Sequence, residues 1–128
     1  MGRIITPVTI KNSAGGSESL RVDAMVDTGS AYMVLPSAWR TKLGKLNKLR
    51  DVTIQLGDQS TASGEMCGPV EIQLAGFAPF YSEVLFVDME PHDGRYEPLI
   101  GYIPLEQSQA AVDMLGHRLL PVKYVDLK

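Results

Sequence analysis

Little in this 128-residue chain is suited to cross-linking or to membrane insertion. Its one cysteine, Cys67, leaves no partner for an intrachain disulfide, so a reducing, cytoplasmic setting is the simplest expectation. No apolar run reaches the length that a bilayer demands, and no secretory leader is expected at the start. Met1-Gly2-Arg3-Ile4-Ile5-Thr6 fits the permissive N-myristoylation pattern, but these residues also read as the beginning of a strand. Lys and Arg number 12 against 15 Asp and Glu, a net charge of −3 that argues against nucleic acid as a partner. The basic residues gather once, at Arg40, Lys42, Lys45, Lys48 and Arg50, where a solvated helix or loop is expected. Cys67 has no thiolate-stabilising neighbour in Gly64-Glu65-Met66-Cys67-Gly68-Pro69 and reads as a small buried hydrophobe, not a nucleophile. His92 with Asp88, Glu90 and Asp93 has the composition of a solvated loop, so neither a metal nor a cofactor is expected.

What the chain does contain is short apolar alternation broken by turn residues, with 45% hydrophobic residues overall. Strands are expected at 4–10 and 18–26, joined by the flexible turn 12–17, then at 31–35 and 51–56. Further strands are expected at 61–66, 70–74 and 82–87. Residues 36–44 suit one or two helical turns closed by Gly44, with Trp39 against the core, and 104–108 suits a short helix. Between them, 88–97 is a long charged loop. Beyond that helix, Ala111-Val112-Asp113 and Arg118-Leu119-Leu120-Pro121 read as a terminal hairpin in preference to a longer helix. The alternating tail 122–127 is expected to pair with another protomer.

Two motifs carry chemistry. Ala24-Met25-Val26-Asp27-Thr28-Gly29-Ser30 is an apolar run ending in a carboxylate, a hydroxyl and a glycine, which brings an acid into a poorly hydrated place beside a backbone able to turn sharply. Downstream lies Pro98-Leu99-Ile100-Gly101, a pair of apolar residues before a glycine. Together, and in this order, they resemble the retropepsin-like aspartic proteases, most nearly the bacterial single-domain members. The resemblance implies a mostly β fold: a closed acid-protease barrel with a flap hairpin, here placed at 52–66, and one or two short helices. It implies Asp27, Thr28 and Gly29 as the catalytic motif, with Asp27 binding the attacking water, Thr28 bracing the subunits and Ser30 hydrogen-bonding the carboxylate. Met25, Ser30, Ala31 and Tyr32 are expected to flank the substrate, and Asp58, Gln59 and Ser60 to reach it from the flap tip. Ala31 stands where viral members usually carry an acid, so that contact with the peptide main chain is not expected.

This chemistry needs two carboxylates, one acting as base towards water and one protonated to polarise the carbonyl. The chain holds one such motif. Neither Asp93-Gly94 nor Asp113-Met114-Leu115-Gly116 has the apolar lead-in, and 128 residues make one domain, 1–128, half the size of a two-lobed enzyme. The expectation is therefore a homodimeric endopeptidase with one Asp27 from each subunit, sharing a proton, and with a peptide or protein as substrate. Ser30 adds an expected acid-shifted activity optimum. The alternatives are a catalytically silent dimerisation or peptide-binding module on the same fold, and a soluble domain of a longer or anchored protein.

Overall fold

The computed structural model describes residues 3–55 and 58–123, and strands form where apolar residues recur at every second position. β1 (Ile5–Asn12) turns Thr6, Val8, Ile10 and Asn12 inward and pairs antiparallel with β2 (Ser19–Val26), with Val8 opposite Val22. β3 (Met33–Pro36) is buried throughout. It starts two residues later than expected, because the carbonyls of Ser30, Ala31 and Tyr32 accept from the N–H groups of Tyr102, Ile103 and Gly101 instead of from a neighbouring strand. The helical segment at Ser37–Leu43 is a 3₁₀ turn, and Gly44 closes it at φ 72°, a left-handed angle that suits glycine.

β4 (Asn47–Gln55), β5 (Thr61–Leu74), β6 (Phe80–Val87), β7 (Leu99–Ile100), α1 (Tyr102–Gln107), β8 (Ala110–Asp113) and β9 (Arg118–Pro121) follow. β4 begins earlier than expected, at Asn47. The basic cluster is accordingly divided, with Arg40 and Lys42 on the 3₁₀ turn and Lys48 and Arg50 on a strand. The strands expected at 61–66 and 70–74 form one continuous β5. Its pairing with β6 shifts register between Cys67 and Val70, so Gly68-Pro69 is absorbed as an irregularity and does not end the strand. The terminal segment is the β8–β9 hairpin, with Ala111 opposite Leu120.

Strand order is β1-β2-β7-β3-β6-β5-β4, and β1 also pairs with the far end of β5. Six strands thereby close into a barrel, and β4 remains outside as an arm paired to the first half of β5. The arm is the hairpin expected at 52–66: Val52 faces Gly64 and Gln55 faces Thr61, while Leu56 and Gly57 lie outside the described residues. So do Met1, Gly2 and the tail from Tyr124 onward, on which the myristoylation pattern and the expected inter-subunit strand fall. No helix among the described residues is long and apolar enough to cross a membrane.

Two apolar clusters fill the barrel. The larger joins Val8, Ile10, Ile72, Leu74, Phe86 and Ile100 and takes Trp39 against its edge, as expected of the single tryptophan. The smaller, around Val34, Met66 and Leu85, lies beneath the arm and extends to Tyr32, Val52, Ile54 and Leu99.

Candidate active site

The placement of Asp27 follows from β7, a two-residue strand inserted between β2 and β3. β7 runs parallel to β2, with Val26 beside Ile100, and antiparallel to β3, with Val34 beside Leu99. Hydrogen bonds continue this bracing past the strand ends. Met25 N–H donates to the Pro98 carbonyl at 2.9 Å and Asp27 N–H to the Ile100 carbonyl at 2.9 Å. On the other side of the loop, Gly101 N–H donates to Tyr32, Tyr102 N–H to Ser30 (both 2.9 Å) and Ile103 N–H to Ala31 (3.0 Å). Leu99-Ile100-Gly101 thus clamps the loop 27–32 from both sides.

Within the loop, Ser30 N–H closes a turn on the Asp27 carbonyl at 3.1 Å, and Gly29 N–H donates to Asp27 Oδ1 at 3.0 Å. The carboxylate is half-buried, while Thr28 and Gly29 are exposed. Asp27 stands at one wall of a cleft of about 480 Å³ running beneath the arm. The rest of the lining is largely apolar: Tyr32 and Val34 from the floor, Val52, Ile54 and Ala62 from the arm, and Leu85, Val87, Met89 and Leu99 from the far side. Asp27 is the one carboxylate among these lining residues.

Ion pairs fasten the base of the arm. Arg50 on β4 donates to both carboxylate oxygens of Glu83 on β6, at 2.8 and 2.6 Å, and these bonds, with the Tyr32 side chain acting in the same direction, raise the guanidinium pKa further. Arg40 on the 3₁₀ turn pairs with Glu65 on β5. At the tip, the Asp58 carboxylate accepts from the Ser60 hydroxyl and, at 3.0 Å, from the Ser60 N–H, and these bonds hold its pKa below the usual carboxylate range. The charged loop 88–97 folds back on itself through His92 and Arg95, which exchange backbone hydrogen bonds across Asp93-Gly94. Tyr96 meets Trp39 edge to face at 5.7 Å, and Met89 reaches the cleft.

Comparison with solved structures gives the same architecture. EIAV protease complexed with the inhibitor HBY-793 superposes with a TM-score of 0.64 at 20% identity, covering 88% of this chain and 94% of that one. The retroviral protease-like domain of Ddi1 from Leishmania major superposes at 0.60 and 18% identity, covering 97% and 91%. This chain has the retropepsin fold. No protein-family model and no curated protein matches it.

On that retropepsin frame, the expected site residues divide. Asp27, Gly29, Ser30, Ala31 and Tyr32 line one cleft, and Thr28 is exposed on the loop between them. Met25 is not among the lining residues in the protomer: it is half-buried, and its backbone pairs with β7 opposite Leu99. Asp58, Gln59 and Ser60 are exposed at the arm tip and are not among the lining residues in the protomer. The Ser30 hydroxyl makes no hydrogen bond to the Asp27 carboxylate among the described residues, so the acid-shifted optimum expected from that bond has no support here. Sequence reasoning missed Val34, Val52, Ile54, Leu85 and Leu99 as cleft residues. Their signal was present as apolar alternation at Val52 and Ile54 and as short apolar runs at Val34, Leu85 and Leu99, which mark burial without saying whether the buried face meets the core or a cleft.

Proposed function

We propose that this chain is one subunit of a homodimeric aspartic endopeptidase. The observation carrying this reading is the setting of Asp27: a half-buried acid, braced on a clamped loop, at the wall of an apolar cleft in which it is the one carboxylate among the described residues. One acid per protomer is half of a two-carboxylate site, and a two-fold axis beside the loop 27–30 supplies the other half. Two carboxylates brought together there share one proton, since like charges at such a distance do not both ionise.

The ionised Asp27 takes a proton from water as the water attacks the peptide carbonyl, and the protonated Asp27 of the partner donates to the carbonyl oxygen. The tetrahedral species then collapses with proton transfer to the leaving nitrogen. Gly29 N–H holds one carboxylate oxygen in the plane the reaction needs. Exposed Thr28 braces the loop against its counterpart across the axis. The substrate lies extended between loop and arm, its side chains on Val34, Ile54, Leu85 and Leu99.

The test is cleavage of denatured casein from acidic to neutral pH, with pepstatin and Asp27→Asn as controls. Turnover abolished by the substitution supports the hydrolase. Absence of turnover at every pH, in a sample that sediments as a dimer, gives the reading up in favour of a silent binding module.

A further inference from the structure

Tyr32 lines two hollows. One is the cleft containing Asp27; the other is an outer groove of about 530 Å³. That groove is walled by Leu49 from β4, Pro69 from β5, Tyr81 from β6 and Ile103 from α1. Leu49 is 51% exposed and Tyr81 69% exposed, a large amount of apolar surface to leave in water side by side. The carboxylate in the lining, Glu83, is already bound through both oxygens to Arg50, so the groove offers apolar contact in place of a free charge.

A second physical connection runs along β4. Val52, Thr53 and Ile54 of this strand wall the cleft, and Leu49 of the same strand walls the groove. β4 is the last strand of the sheet and pairs with β5 alone among the named strands, so its other edge carries unpaired N–H and C=O groups. Such an edge accepts an extended peptide as an added strand. At a rise of about 3.3 Å per residue, a peptide laid along β4 covers the stretch from Ile54 to Leu49 in about five residues, or roughly 17 Å.

We propose that the outer groove is a second binding site for the polypeptide substrate, taking an aromatic or large aliphatic side chain about five residues from the segment held against Ile54. This rests on the peptide-hydrolase reading and deepens it. Substrates long enough to span both hollows are selected over short ones, and Tyr32 forms the partition between the two sites.

The test uses the full chain and its double variant Leu49→Ser/Tyr81→Ser, both substitutions being at exposed positions, with a thermal melt to verify folding. The probes are a casein-derived cleavable peptide of about eight residues and the same peptide extended to about sixteen with an aromatic residue in the added part. Extension is expected to raise kcat/KM about tenfold for the native chain and at most about twofold for the variant, while the short peptide is cleaved equally by both. Equal gains in the two proteins, or no gain from extension, overturn the proposal. Loss of dimer in sedimentation of the variant also overturns it, by making the groove a contact between copies. If the native chain cleaves neither peptide, the hydrolase reading fails separately, and fluorescence anisotropy of the labelled peptides tests the groove. Tighter binding of the long peptide that disappears in the variant supports the site; equal binding of both peptides overturns it.

Discussion

Gly101 is packed so tightly against Ala31 that a β-carbon at Gly101 would stand 2.5 Å from the Ala31 carbonyl carbon and 2.6 Å from the Tyr32 nitrogen. Both are backbone atoms, and they belong to the loop that Gly101 braces, so a side chain there is accommodated by moving the loop. Gly101→Ala is expected to lower stability by about 1–3 kcal/mol, the range for overpacking. It is also expected to reduce kcat more than KM, because the displaced loop carries Asp27. Thermal melts together with steady-state kinetics check both halves.

If the proposed reading holds, one carboxylate in the cleft lining of each protomer makes activity a property of pairs. Asp27→Asn should leave the melting curve nearly unchanged and reduce kcat by at least about 10³-fold, as expected for loss of an acid–base group. In a refolded equimolar mixture of native and Asp27→Asn chains, random pairing leaves about one quarter of the dimers with two acids. Activity per total dimer should fall to that fraction. A fall to about one half would mean that each subunit works alone.

Trp39 is the single tryptophan, and it contacts both Tyr96 of the charged loop and the Lys42 ammonium, 5.3 Å from its ring centroid. Tyr96→Ala should therefore shift Trp39 emission to the red as water reaches the ring, and cost about 0.5–1.5 kcal/mol beyond the lost area. Since the same loop brings Met89 to the cleft, KM for an apolar peptide should rise in this variant.

Acid should loosen the terminal hairpin. The Asp113 carboxylate accepts from the Gly116 N–H at 2.9 Å and from Arg118 at 3.2 Å, and these bonds, the Gly116 one foremost, hold its pKa below the ordinary 3.8. A depressed folded pKa stabilises the hairpin above the unfolded value, and that contribution is lost as the pH falls through the folded one. Protection of the Gly116 amide, taken relative to its intrinsic exchange rate at each pH, should fall across that acid range, and in Asp113→Asn it should be low already at neutral pH.

The parts of this fold legible in the sequence were those where burial alternates. Val8, Ile10, Val52, Ile54 and Ile72 announce strands because one face of each strand meets apolar neighbours, and Asp27 with Leu99-Ile100-Gly101 announced the clamped loop. Residues 47–50 went unread as strand because every one of them is exposed. Their membership in β4 comes from backbone pairing with β5, which leaves no mark on side-chain pattern. Gly68-Pro69 was read as a break for the opposite reason: both residues discourage regular strand, but β6 and β1 hold β5 in place on either side of them.

The insertion of β7 between β2 and β3 also imposes an order of events on the growing chain. Asp27 leaves the ribosome well before the Ile100 carbonyl and the Gly101–Ile103 amides that fix its loop. Until then, the central gap of the sheet is open and the acid sits on an unbraced turn. The loop that carries Asp27 therefore reaches its braced geometry only once a segment distant in sequence has joined the sheet.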